Sequence, residues 1–406
     1  MVTNGSKIEW EEREIDLNQQ RLSEIDKVLA HAVEDQQVVG VSAMVLQQGK
    51  ERYYGQAGLA DREEHRPMSR DTIFRLFSLS KPVTAVAAVI LLERGELDLL
   101  APVSRFLPGF ENQKVFNGTA LEPVNRPVVL KDLLGMVSGI VYGGAVGFAQ
   151  TQMQALFDQV EGMQAQGKEL STYELANRIG QIPLAFQPGT AWQYGLSADI
   201  MGAVIEVVTG KRFGDFLREE IFEPLGMKDT GFWVPPEKQK RLAAVYEETS
   251  QGLLRYKKPR LAILPQYDRE PAFQSGGAGL VSTIEDCAKF AAMLSGNGAL
   301  GATRILSPRT VRYMASNQLS AKVRETAQWD SLRGYGYGNF MRVLTEEGQA
   351  VTLGSVGEFG WDGWLGAYLC VSPKDNMALV MMMQKVGAGT TEVTRKFRSV
   401  AYASLE

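Results

Sequence analysis

The stretch Phe77-Ser78-Leu79-Ser80-Lys81, continued by Pro82-Val83-Thr84-Ala85-Val86-Ala87-Ala88-Val89-Ile90-Leu91-Leu92, decides how this chain is read. A surface helix breaks its apolar residues every third or fourth position, yet no charge falls between Lys81 and Glu93. The run therefore predicts a helix enclosed by protein on all sides. Pro82 fits a first helical turn, where a missing N–H costs nothing, and Gly95 supplies the C-terminal stop. Ser78 and Lys81, three residues apart, fall on one face. A lysine one turn into such a helix is hard to solvate, and burial disfavours its charged form, which makes the amine a base near neutral pH. A serine hydroxyl beside that amine is an activated nucleophile.

The rest of the composition narrows the chemistry. The 406 residues contain two histidines, His31 and His65, both early and among polar neighbours. No His-Glu-x-x-His pattern offers a zinc site, and no Gly-x-Ser-x-Gly elbow supports a Ser-His-Asp hydrolase. A nucleophilic serine here needs a base other than histidine. Cys287 and Cys370 lie in apolar contexts without ligand spacing, so they read as core residues, and neither a metal nor a cofactor is implied. A net charge of −4 gives no electrostatic footprint for nucleic acid. The local basic cluster from Arg255 to Arg260, with Lys257 and Lys258, reads as a solvated strand end. Met1 to Asn18 is polar and has no secretory apolar core, and no run approaches the roughly 20 apolar residues of a membrane span. The expectation is a cytoplasmic protein without a membrane partner, and nothing in the sequence sets its oligomeric state.

Patterning along the chain predicts an α+β fold. Leu22, Ile25, Val28, Leu29, Ala32 and Val33 recur at helical spacing, so residues 18–35 form an amphipathic helix. Val39 to Leu46 and Glu51 to Gly58 follow as a hairpin across Gln47-Gln48-Gly49-Lys50. From Leu99 to about Pro235 the chain is mostly helical. It includes a capping box at Ser171 to Glu174 and a helix from Ala198 to Thr209 ended by Gly210. Strand character returns at Leu242 to Tyr246, Leu253 to Tyr256, Tyr337 to Leu344, Ala350 to Leu353, Gly366 to Val371 and Ala378 to Met383. The last is apolar on both alternating faces and should be central. Ile284 to Leu294, after Gly276-Gly277-Ala278-Gly279, and Thr391 to Leu405 read as helices. The expected architecture is an antiparallel β-sheet flanked by N- and C-terminal helices, with residues 18–95 and 240–406 as the sheet domain and residues 96–239 as an inserted mostly helical domain.

These motifs together resemble the serine β-lactamase and penicillin-binding-protein-like hydrolases, in the branch of class C β-lactamases, family VIII carboxylesterases and related acyltransferases. The resemblance spans roughly residues 22–385. It rests on Ser78-Leu79-Ser80-Lys81, Asp71-Thr72-Ile73-Phe74-Arg75, Glu93 to Asp98, and Leu133-Leu134 with Ser138-Gly139-Ile140. Gln187-Pro188-Gly189 before Trp192-Gln193-Tyr194, and Pro224 to Met227, complete it. It implies a β-lactamase/transpeptidase-like fold with Ser78 as the acylated nucleophile, Lys81 sharing its proton, and Tyr194 as general base or proton shuttle. The stretch Gly357 to Trp364 takes the place of the third motif. Trp361 then stands where lactamases carry a lysine, Gly363 lets substrate approach the backbone, and the N–H groups of Ser78 and Trp364 form the oxyanion hole.

Departures from the lactamase pattern bear on substrate. Trp361 removes a cation, and Leu196 stands where Tyr-x-Asn has its amide, so two polar anchors for β-lactams are gone. Met136 replaces an expected histidine, and Asp362 is unusual within the third motif. The sequence thus points to an esterase on small or medium neutral esters, with acyl transfer to an alcohol acceptor as a variant of the same chemistry. A β-lactamase or D-Ala carboxypeptidase-like enzyme is the second reading. A catalytically silent ligand-binding relative, its oxyanion hole blocked by Asp362 and Trp364, is the third.

Overall fold

The computed structural model describes residues 17–257 and 267–406; the expectations for Met1 to Asp16 and for Lys258 and Arg260 lie outside the described residues. Apolar alternation on both faces organises one sheet. Its strands are β1 (Gly40–Gln47), β2 (Lys50–Asp61), β3 (Arg66–Pro67), β4 (Tyr335–Gly338), β5 (Met341–Leu344), β6 (Phe359–Asp362), β7 (Tyr368–Ser372) and β8 (Met377–Met383). The order is β4-β5-β6-β7-β8-β1-β2-β3, antiparallel throughout. β8 lies between β7 and β1, as its two apolar faces require. Gln48 and Gly49 both take positive φ, and Gln47 pairs with Lys50, so β1 and β2 are joined by a two-residue turn whose twist matches the strands.

Each face of the sheet is sealed by different helices. Val41, Ala43 and Val45 of β1, with Leu379, Met381 and Met383 of β8, pack against Ile25 and Leu29 of helix Glu24–Glu34 and Phe397 of helix Glu392–Ala403. Met44, Ala378, Val380 and Met382 point the other way, into a core shared with helices Ser80–Glu93, Ser197–Thr209 and Ile284–Ser295. That larger core continues among the helices between residues 130 and 225. Among the described residues no helix is long and apolar enough to cross a membrane.

Several local expectations are corrected. The run Tyr337 to Leu344 is not one strand but parts of β4 and β5, because Asn339 and Phe340 both adopt positive φ and reverse the chain. Ala350 to Leu353 forms no strand; Val351 and Leu353 are exposed, and nothing pairs their backbone into the sheet. Of the pair expected at Leu242 to Tyr246 and Leu253 to Tyr256, the first strand starts four residues later, at Tyr246–Thr249, the second is Gly252–Arg255, within one residue of the expectation, and the pair stands outside the main sheet. Ser171 and Glu174 do form the capping box, and Gly210 ends its helix in the left-handed region.

Candidate active site

Ser78 lies in a single 3-10 turn, Phe77–Leu79, that feeds directly into the helix Ser80–Glu93. Residues Ser80 to Leu91 of that helix are all buried, so along its length only its far end at Leu92 and Glu93 and the turn that carries Ser78 come to the surface. Phe77 adopts φ +46°, a left-handed conformation that costs a non-glycine residue about 1–3 kcal/mol. The surroundings hold it there. The Leu76 N–H donates to Leu280 O at 2.9 Å, and the Phe77 ring meets the Trp364 ring edge-on at 5.2 Å. This turn aims the Ser78 side chain away from the core that encloses its neighbours.

Lys81 is fully buried. Its Nζ lies 3.2 Å from Ser78 Oγ and 3.2 Å from Tyr142 Oη, and donates to Gly277 O at 2.8 Å. Burial pushes the amine down to about 7, against the opposing pull of the Asp199 and Asp362 charges. An amine poised there can accept the serine proton at neutral pH and give it back.

Tyr194 lies beside both Lys81 and Ser78. Burial drives its phenol well above the ordinary range, with hydrogen bonds to Ser78 and Trp361 opposing the shift, so it stays neutral around pH 7. The Trp361 Nε1–H donates to the Tyr194 oxygen at 2.9 Å. Lys81 Nζ stands over the Tyr194 ring, 4.6 Å from its centroid. The expected Tyr–Lys pair is therefore a cation over an aromatic face, and the hydrogen-bonded tyrosine partner of Lys81 is Tyr142.

Trp361 belongs to β6, and Gly363 follows the strand. A β-carbon on Gly363 would meet Leu76 O at 2.1 Å, so this glycine permits contact between the end of β6 and the nucleophile turn. That role differs from the substrate approach expected for it. Because the obstructing atom is backbone, Gly363→Ala must shift the turn carrying Ser78. Its kcat on a reactive ester should fall by about 10²-fold, since misplacement by 1 Å costs that much. An unchanged kcat in steady-state kinetics would refute the close-approach account. Asp362 points to the opposite sheet face, where Arg342 Nη1 donates to it at 2.7 Å and Thr390 Oγ1 at 2.7 Å. It is spent there and does not obstruct the cleft.

A family model described as Beta-lactamase matches residues 25–403. The chain belongs to the beta-lactamase family. Within that family it is 31% identical to Esterase EstB of Burkholderia gladioli over 395 residues, 93% of this chain and 94% of the other. It is 30% identical to Protein Rv1367c of Mycobacterium tuberculosis over 357 residues, 85% of each chain. The solved structure of EstCE1, described as a hydrolase with promiscuous acyltransferase activity, superposes with a TM-score of 0.79 at 27% identity, covering 95% of this chain and 99% of that one.

For this beta-lactamase-family chain, the structure brings Ser78, Lys81, Tyr194, Trp361, Gly363 and Trp364 into one place. Leu196 does not join them. It is 1% exposed in the core and stands just before the helix Ser197–Thr209, so it has no surface to offer a substrate. Trp361 is likewise buried, and its one donor is committed to Tyr194, so it orients the phenol where a substrate contact was expected. Sequence reading missed Tyr142, which follows Ile140 by two residues with no motif of its own. It also gave no role to Asp199 or Gly277. The glycine cluster at 276–279 was the one local signal that backbone had to come close to something.

Proposed function

We propose that this chain is a serine carboxylesterase that forms an acyl-enzyme on Ser78 and acts on small or medium neutral esters. The observation that supports this most directly is the Lys81 amine, buried, pushed down to about 7 and 3.2 Å from Ser78 Oγ. The neutral amine takes the hydroxyl proton as Oγ bonds to the ester carbonyl carbon. The N–H groups of Ser78 and Trp364 receive the developing oxyanion. The Lys81 proton then passes to the leaving alkoxide, directly or through Tyr194, as the C–O bond breaks. Water repeats the sequence on the acyl-enzyme and releases the acid.

Selection against charged substrates is consistent with the third motif. Trp361 carries no charge, and nearby Arg342 is held by Asp362 behind the sheet, so this motif offers no cation to a β-lactam carboxylate. The same turning-away of Asp362 removes one of the two obstructions that favoured a silent ligand-binding relative. EstB is described as an esterase, and EstCE1 adds acyl transfer, which differs only in using an alcohol in place of water at the second step.

The test is labelling by a fluorophosphonate probe, read by intact mass, beside hydrolysis of short-chain nitrophenyl esters. Single labelling of the wild type is expected. Ser78→Ala should lose both the label and, by about 10³-fold or more, the turnover. Undiminished turnover in Ser78→Ala would overturn the reading, and nitrocefin turnover more efficient than that of esters would move it to a β-lactamase. Product partition with added alcohols measures the transferase share.

A further inference from the structure

Two carboxylates act on Lys81, and they are held very differently. Asp362 is neutralised by Arg342 on the far face of the sheet. Asp199 lies in the first turn of helix Ser197–Thr209, five residues beyond Tyr194, and is 2% exposed. Its Oδ1 accepts the Gly277 N–H at 3.1 Å and the Ser275 hydroxyl at 2.5 Å, both neutral donors. The carbonyl of the same Gly277 accepts from Lys81 Nζ. One residue thus turns its N–H to the carboxylate and its C=O to the amine.

The fit around that residue is close. A β-carbon on Gly277 would meet Asp199 Oδ2 at 2.5 Å, so glycine alone lets the carboxylate sit against this backbone. The segment Ser275 to Leu280 is pinned to the nucleophile helix as well. Thr84 Oγ1 donates to Gly276 O at 2.7 Å, and the Leu280 N–H donates to Ser80 Oγ at 3.1 Å. Mere strapping would be served by an uncharged amide, which avoids the cost of burying a charge. The charge itself needs a reason.

We propose that Asp199 is a positioning residue for the base: through Gly277 it fixes Lys81 beside Ser78, and its charge keeps the buried amine able to carry a proton. The inference rests on the reading of Lys81 as the base of Ser78. Burial alone would strip Lys81 of its proton, and Asp199 is the larger of the two charges that oppose this. The other groups at the amine are the Ser78 and Tyr142 hydroxyls and the Tyr194 ring, with the Asp362 charge acting from the far face of the sheet. Burial raises Asp199 itself, while Lys81, Ser275 and Gly277 lower it. A base that cannot hold the proton cannot return it to the leaving group, so the carboxylate governs both halves of the transfer.

Asp199→Asn keeps the shape and an acceptor for both donors while removing the charge. The acid limb of kcat/KM should move to lower pH by about one unit, a tenfold change in proton affinity, and the plateau should fall. Ser275→Ala removes one donor and keeps the charge, so it should displace the limb much less. A purely structural strap predicts lower stability and activity in both variants with the limb unmoved, which would overturn the proposal. The Lys81 titration can also be followed without turnover, by NMR of ¹³C-labelled lysine side chains assigned with Lys81→Met. An equal Lys81 titration in wild type and Asp199→Asn refutes the role of Asp199, whether or not esters are cleaved. A displaced titration in a protein whose Ser78 takes no label would support Asp199 and sink the esterase reading.

Discussion

Lys81→Met should lower kcat/KM for a short-chain nitrophenyl ester by about 10³- to 10⁴-fold, the upper part of the range for a positioned proton-transfer group. In the wild type the rate should rise with pH through about 7, because the neutral amine is the active form, and then level off. Tyr194, pushed well upward by burial, adds no descending limb near neutrality. The same substitution should change stability in a pH-dependent way. Lys81 is depressed from 10.5 to about 7 in the folded protein, so between those values the unfolded chain binds more protons, and wild-type stability rises with pH across that window. The depression corresponds to a handicap on the order of 5 kcal/mol at and below its lower edge. Methionine carries no such handicap. The stability of Lys81→Met relative to wild type should therefore be greatest near pH 7 and shrink toward pH 10. Urea denaturation at several pH values measures it, and a pH-independent difference would show that Lys81 is not a depressed buried amine. Function placed the lysine where folding alone would not.

The second large effect is expected behind the sheet. Arg398 of the last helix and Glu358, just ahead of β6, are each nearly inaccessible, with Nη2 donating to Oε1 at 2.7 Å. Tyr335 donates to Glu358 Oε1 at 2.8 Å and Tyr402 to its other oxygen. Arg398 also donates to Thr352 Oγ1 and Leu353 O, each at 3.0 Å. Glu358→Leu leaves that guanidinium buried without its counter-charge, which should cost about 3–5 kcal/mol. Converting both partners, Glu358→Leu with Arg398→Met, should recover most of the loss, because a desolvated pair costs nearly as much to bury as it returns. A double-mutant cycle by chemical denaturation reads the coupling. Simple additivity of the two single losses would show that the pair does not act as a unit.

Legibility in the sequence followed the range of the forces involved. The buried helix was readable because enclosure on all sides demands an almost unbroken apolar run, with no charged residue from Pro82 to Leu92. β8 was readable for the same reason, being apolar on both faces. The hairpin at Asn339 and Phe340 was not, because Gly338-Asn339 is embedded in an otherwise strand-like run and the second positive-φ residue is a phenylalanine, which carries no turn signal. Tyr142 and Asp199 escaped notice because their importance lies in the space near Lys81 Nζ. Each sits in local sequence that would look the same in a plain loop or at the start of any helix.

The sequence alone determined that a serine and a lysine share the mouth of a buried helix, that no histidine can serve them, and that the third motif has lost its cation. The first two follow from local chemistry, periodicity, residue type and three-residue spacing, and the third from the resemblance to the lactamase pattern. Only the tertiary structure decided which partners the lysine holds, that Trp361 spends its donor on Tyr194, that Leu196 is core and that Asp362 faces away. Those outcomes depend on contacts between segments tens to hundreds of residues apart, such as Lys81 with Gly277 and Tyr194 with Trp361, and on strand β6 sending alternate side chains to opposite faces of the sheet.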